Sequence, residues 1–282
     1  MTYAIEVNRL RKEYQNFQLK DVSFRLPTGT IMGFVGENGA GKTTTIKCIL
    51  DLLNTREGEV KIFGKDVREH GTKVKEDIGV VFDDIYFPDL FNAKKIGHVL
   101  DEVFSNWDNE YYVDLLKRLK VPYEKPIKQL SRGMKMKLSI ASALAHHPKL
   151  LILDEPTSGL DPIIRDEILD IFMDFMQDEN NSILFSTHIT TDLEKIADYI
   201  TFIHDGEIVF SKNKDDLLYD FGIWKGTLEE AIEIPDHAKI RMKQHAYGVE
   251  ILVNRKEVNS AFPIDMPSIE DIMLFFVKGV HA

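Results

Sequence analysis

The chain has 282 residues, room for one large domain and a small companion on a scale of roughly 150 residues per domain. Its apolar content of 44% is that of an ordinary globular protein, and a formal net charge of −11 argues against nucleic acid or an anionic lipid surface as the main partner. A single cysteine, Cys48, excludes an internal disulfide, suits a reducing compartment and reads as a small core residue. Residues 1–7 lack the basic and apolar regions of a signal peptide, and the longest strongly apolar run, residues 272–277, is far too short to span a bilayer. The expectation is a soluble chain with no direct membrane span; a role at a membrane requires another protein to form the pore.

Taken in order, residues 4–7 and 17–26 alternate as antiparallel strands do. Tyr14 lies on the polar bend between them, an aromatic able to stack on an adenine ring. Residues 31–35 read as a buried strand and 45–50 as a helix. Between them residues 36–44, Gly-Glu-Asn-Gly-Ala-Gly-Lys-Thr-Thr, fit the P-loop pattern, with Gly36, Gly41, Lys42 and Thr43 in its defining positions. Glycines let such a loop turn its N–H groups inward, and the helix start adds partial positive charge, so a triphosphate is the expected ligand. Lys42 is expected to reach the β- and γ-phosphates and the Thr43 hydroxyl to ligate Mg²⁺.

Residues 57–64 suggest a hairpin, and 77–84 a buried strand ending in Asp83 and Asp84. Ile96, Val99, Leu100, Val103, Phe104 and Trp107 form one stripe at helical spacing, continued by Tyr112, Leu115, Leu116 and Leu119, and the stripe is read as core. Ser131 is a candidate N-cap for a helix carrying Leu138, Ala141, Leu144 and Ala145 inward. Residues 150–153 form a strand that delivers Asp154 and Glu155, and the helix after Pro162 buries Ile164, Ile168, Ile171, Phe172 and Phe175. Residues 183–185 lead to His188, and 199–210 make a hairpin turning at Asp205-Gly206. Past residue 214 the pattern changes, with a strand at 249–253 and a capped helix from Ser268. An Asn-Lys-x-Asp match at 213–216 lies in a charged stretch after a hairpin and is set aside as chance.

A P-loop needs a carboxylate on a neighbouring strand tip for Mg²⁺, and Asp154 is that group. Glu155 beside it can orient and deprotonate an attacking water, and His188 can link that water to the γ-phosphate. The long, mostly helical stretch between Thr44 and Asp154 leaves no place for a small GTPase or nucleoside kinase.

Over residues 1–215 the chain resembles the ATPase subunits of ABC transporters. The resemblance makes residues 36–44 the Walker A motif, with Asn38, Gly39, Ala40 and Thr44 added to the nucleotide contacts, and 150–155 the Walker B motif with Glu155 as general base. It makes 158–161 the D-loop, His188 the switch histidine and Tyr14 the adenine platform. Residues 130–134, Leu-Ser-Arg-Gly-Met, stand where the family has Leu-Ser-Gly-Gly-Gln, with Arg132 and Met134 as departures. Asp83 stands in place of the Q-loop glutamine and is expected near the metal, tuning turnover.

The fold so implied is α/β: a P-loop NTPase of ABC type with a RecA-like core and an antiparallel β subdomain. It adds a helical signature subdomain at about 84–146 and a small α+β appendage at 216–282. The family dimerises head-to-tail, so that Ser131 and Gly133 of one chain touch the γ-phosphate on the other. ATP and Mg²⁺, a separate membrane permease and a second ATPase subunit are implied, and no nucleic acid. The implied place is the cytoplasmic face of the cell membrane. The chain looks most like subunits of bacterial exporters of lantibiotics, bacitracin or amphipathic cytolytic peptides. The alternative is a soluble ABC-type ATPase outside transport, though such proteins usually fuse two ATPase domains or carry a long coiled coil.

Overall fold

Ile31–Val35 is buried along its whole length, and this apolar strand is the middle of the molecule. The computed structural model describes residues 2–280 except 56, 85, 247, 260 and 261. In order, the chain opens with β1 (Tyr3–Glu13), β2 (Gln18–Pro27), β3 (Ile31–Val35) and α1 (Lys42–Ile49). β4 (Glu57–Ile62), β5 (Lys65–Asp66), α2 (Val67–Lys75) and β6 (Ile78–Val81) follow. β2, β1, β4 and β5 form an antiparallel sheet. β1 outruns the four residues that alternation suggests, because register shifts between Val7 and Leu10 break the period of two on which that reading depends.

The helical stretch is α3 (Ala93–Asp101), α4 (Asn109–Arg118) and α5 (Arg132–Leu144). Asn92, Asp108 and Ser131 cap their starts, each accepting a backbone N–H. The stripe expected from 96 to 107 is not one helix. α3 stops at Asp101, Val99 and Val103 are exposed, and Phe104 and Trp107 pack from the loop that follows. Phe104 stacks on His146 at 4.0 Å and Trp107 lies against Tyr112 at 5.0 Å.

β7 (Leu150–Asp154), α6 (Pro162–Phe175), β8 (Ser182–Thr187), α7 (Thr190–Ile196), β9 (Tyr199–His204) and β10 (Glu207–Asn213) complete the central sheet. Its order is β10-β9-β3-β8-β7-β6, parallel except for the β9–β10 hairpin, which turns at Asp205 and Gly206 with both φ positive, as its sequence suggests. Asn213 caps α8 (Lys214–Asp220) through the N–H groups of Asp215 and Asp216, which gives the Asn-Lys-x-Asp match a structural role.

A third sheet holds β11 (Phe221–Gly226), β12 (Lys239–His245), β13 (Gly248–Asn254) and β14 (Ile264–Asp265), in the order β12-β13-β11-β14. α9 (Ile269–Lys278) opens on the expected capping box of Ser268 and Asp271. Its Ile269, Ile272 and Phe275 are buried in the same cluster as α4, α5 and α6 side chains, and each contributes roughly 1.5–3 kcal/mol by leaving water. The Ile269 N–H donates to Glu194 on α7 at 3.3 Å, fixing the helix start beside the segment that follows His188.

Candidate nucleotide site

β3, β8, β7 and β6 lie side by side and parallel, so their C-terminal ends open on one edge of the sheet, where open α/β sheets take their ligands. The P-loop follows β3, Asp154 ends β7 with Glu155 next, His188 follows β8 and Asp83 follows β6. The chain thus delivers Lys42, Thr43, Asp83, Asp154, Glu155 and His188 to one end.

α1 starts without a side-chain cap, from Gly41 at φ 114, which leaves its first N–H groups directed at the loop. Only glycine fits there: besides the left-handed φ, a Cβ would stand 2.7 Å from Leu19 and 2.8 Å from Phe17. Lys42 is buried, its Nζ donating to the carbonyls of Gly36 at 2.7 Å and Glu37 at 3.2 Å and lying 3.3 Å from Glu155 Oε1. That last contact is charge attraction without hydrogen-bond geometry, since Oε1 is buried and accepts no hydrogen bond. The other carboxylate oxygen, Oε2, lies 2.8 Å from His188 Nδ1. An ionised carboxylate only accepts, so Nδ1 carries the proton of that bond and Nε2 points elsewhere. Glu155 holds this position with φ 52, a left-handed conformation uncommon for any residue but glycine, and its N–H donates to the Ser186 carbonyl.

Asp154 is 3% exposed and accepts from the hydroxyls of Ser186, at 3.1 Å, and Thr43. Burial raises its pKa above the ordinary carboxylate value, the two hydroxyls and Lys42 pull it back, and Glu155 adds to the rise. Among the described residues no group of three or more His, Cys, Asp or Glu could hold a metal. A buried carboxylate short of compensating charge, with a hydroxyl beside it, does fit Mg²⁺ that brings phosphate and water oxygens as its remaining ligands.

These groups line a cleft of about 560 Å³ with Asn38, Gly39, Gly41 and Thr44 of the P-loop. Gly36 and Ala40 are buried behind it, Ala40 receiving the Gly206 N–H. The cleft's aromatic wall is Phe17, with Asn16, and Tyr14 stands half-exposed on the same bend, its ring 6.5 Å from Phe17. Two aromatics three residues apart on one bend were equally visible in the sequence; only the packing of Phe17 against Gly41 separates them. Glu37, at an unspecified position of the P-loop pattern, and Ser186, in no pattern of its own, were missed as site residues.

Ser131 and Gly133 do not reach this cleft. Ser131 caps α5 on the surface, accepting from Met134 N at 3.2 Å, and Gly133 is packed against Ile164. Arg132, between them, reaches back to Asp83 at 2.5 Å. A buried Asp192 accepts from Thr157 and Arg165, tying the residues after Glu155 and the start of α6 to α7. A separate groove of about 910 Å³ has an apolar floor of Ile78, Val80, Phe82 and Phe104, exposed Leu52 and Val103, and a rim including Arg68, Lys73 and Lys75.

Comparison with known proteins agrees with this geometry. The ABC transporter family model matches residues 19–158. ABC transporter ATP-binding protein YtrB of Bacillus subtilis is 31% identical over 77% of this chain and 74% of its own. The bacitracin transport ATP-binding protein BcrA of Bacillus licheniformis is 34% identical over 74% of this chain and 69% of its own. A solved ATP-binding subunit of an ABC transporter superposes with a TM-score of 0.69 at 27% identity, over 76% of this chain and 91% of that one. With a P-loop, a buried carboxylate pair and a histidine on adjacent strand ends, the chain belongs to the ABC transporter ATP-binding proteins and is an ABC-type ATPase.

Proposed function

We propose that this chain is the motor subunit of an exporter, closing head-to-tail with a second ATPase subunit over two ATP molecules and driving a separate permease at the cytoplasmic face of the membrane. The observation that carries the reading is the convergence of Lys42, Asp154 and Glu155 at the cleft, with His188 held on Glu155, while Ser131 and Gly133 take no part in its lining. A signature that cannot serve its own nucleotide serves another chain's. The domain division that goes with this reading is an ATPase unit at 1–215, its helical part at about 84–146, and an accessory region at 216–282.

In this mechanism Lys42 exchanges its loop carbonyls for the β- and γ-phosphates. Thr43 and Asp154 hold Mg²⁺, which when bound neutralises charge developing on the phosphates. Asn38, Gly39, Ala40, Gly41 and Thr44 hold the phosphates, Gly36 lets the loop turn, and the bend of Tyr14 and Phe17 meets the base. Glu155 takes a proton from the attacking water, with Oε1 free to accept it. His188 holds Oε2 and leaves Nε2 for the γ-phosphate.

The groove by Leu52 and Val103 supports the permease as partner. Its apolar floor, edged by Arg68, Lys73 and Lys75 together with Glu69 and Glu76, suits a short amphipathic helix from a permease loop. No helix among the described residues is long and apolar enough to cross a membrane, in keeping with a separate pore. An amphipathic peptide or antibiotic as cargo is supported by likeness to a bacitracin transport subunit.

Light scattering of Glu155→Gln protein tests the reading. A mass that doubles on adding Mg²⁺-ATP is expected, together with loss of phosphate release. A mass unmoved by ATP overturns pairing with a second copy and turns the search to a different ATPase chain.

A further inference from the structure

The two places where this chain departs from the family pattern touch each other. Arg132 of the signature and Asp83 of the strand end after β6 form an ion pair, Nη2 to Oδ1, at 2.5 Å. Both side chains are about half exposed, so solvent screens the pair and it is held weakly. Asp83 also lines the nucleotide cleft of its own chain. Arg132 sits in the first turn of α5, next to Ser131, and is not itself part of that cleft's lining. Its guanidinium rests over Gly159, where a Cβ would come within 3.3 Å and where φ is +67, so the 158–161 turn is shaped to let the arginine lie across it.

We propose that Arg132 is a phosphate-binding group of the neighbouring chain's site, held in store by Asp83 until the two chains close. The inference rests on the head-to-tail reading above. A guanidinium is a planar fork that pairs with phosphate oxygens as readily as with a carboxylate, and a triphosphate carries more charge than one aspartate. When the partner's nucleotide meets the start of α5, Arg132 leaves Asp83 for the phosphate. Asp83 is then released into the cleft of its own chain, near Asp154. One exchange of partners thus changes both sites together. Occupation of one site removes a carboxylate's counter-charge in the other, so the two sites are expected not to bind ATP independently.

The test separates this exchange from a strut that merely fastens α5 to the central sheet. In the Glu155→Gln background, where turnover does not intervene, the ATP concentration at half-conversion to dimer is measured for Asp83→Asn, Arg132→Ala and the double variant. Asp83→Asn removes the hold and keeps the arginine, so half-conversion falls by about threefold or more. Arg132→Ala removes the phosphate contact, so half-conversion rises by about tenfold. The double variant follows Arg132→Ala, because without the arginine there is nothing for Asp83 to hold. If both single variants shift in the same direction, or neither moves, the exchange is wrong and the pair is a strut. If the parent Glu155→Gln protein never dimerises, the head-to-tail reading itself has failed, and the exchange falls with it; that outcome is read from the parent alone, before any variant is compared.

Discussion

Asp192 and Arg165 form an ion pair at 2.5 Å in which the carboxylate is almost wholly buried and the guanidinium about three-quarters so, and the second carboxylate oxygen accepts from Thr157 at 2.8 Å. The pair ties α6 to α7 and thereby sets the distance between the turn after Glu155 and the segment after His188. Removing one partner of a buried pair leaves the other uncompensated, so Asp192→Ala is expected to destabilise the protein by about 2–4 kcal/mol, discounted for the part-exposed arginine. Thr157→Val, which removes only a hydroxyl, is expected to lose about 1 kcal/mol. Urea unfolding of both variants checks the order.

Glu155→Gln keeps the shape of the side chain and abolishes its basicity. Phosphate release is expected to fall by about 10²–10⁴-fold, the range of a positioned general base. His188→Ala is expected to lower kcat more than it raises KM for ATP, because the histidine holds the general base through Glu155 Oε2. Steady-state kinetics of the two variants distinguish these roles.

For Asp154 the sign of the pH effect follows from burial, the chief cause of its raised pKa. A carboxyl whose folded pKa exceeds its unfolded value favours the fold at low pH, and that contribution is lost as pH rises from the unfolded value of about 3.8 through the raised folded one. At neutral pH the charged carboxylate therefore opposes folding. Asp154→Asn is expected to raise the Tm of the nucleotide-free protein while losing most of the stabilisation that Mg²⁺-ATP gives the wild type. Thermal melts with and without Mg²⁺-ATP measure both effects, and a variant less stable than wild type without nucleotide contradicts the argument.

Cys48 is 5% exposed, and burial pushes its thiol up to about 11. The thiolate is the reactive form, so native protein at neutral pH is expected to resist iodoacetamide and to become labelled only on unfolding. Mass spectrometry after a timed pulse decides it.

Leu52→Asp and Val103→Asp place charge on the apolar groove at positions already exposed, at 56% and 64%, so folding and basal ATPase are expected to be unaffected. Stimulation of the ATPase by the membrane partner is expected to be lost. Retained stimulation would remove the groove from the coupling path.

What the sequence made legible was what local chemistry dictates. The P-loop, the carboxylates after residues 150–153, the caps at Ser131 and Ser268 and the Asp205-Gly206 turn each depend on neighbours within a few residues. What stayed hidden depends on distant residues meeting. Phe17 is distinguished from Tyr14 only by its packing on Gly41, Asp192 gains its role from Thr157 and Arg165, and the Asp83–Arg132 pair joins two departures that had looked independent. Val103 failed for the opposite reason, since a helical period was extended past Asp101, where α3 had already ended, whereas Val99 lies on α3 but is exposed.

The position of β3 has a consequence for how the chain is made. It is among the first strands synthesised, yet its two neighbours in the sheet are β8 and β9, with Ile31 opposite Ile183 and Met32 opposite Tyr199. The β1–β2 and β4–β5 pairs can form locally as they leave the ribosome, while the P-loop strand waits, unpaired on both edges, until most of the chain has followed. Such long-range pairing is slow and leaves apolar edges uncovered in the meantime. The nascent chain therefore carries its nucleotide motif long before it can hold a nucleotide, and the interval is when it most needs protection from its own kind.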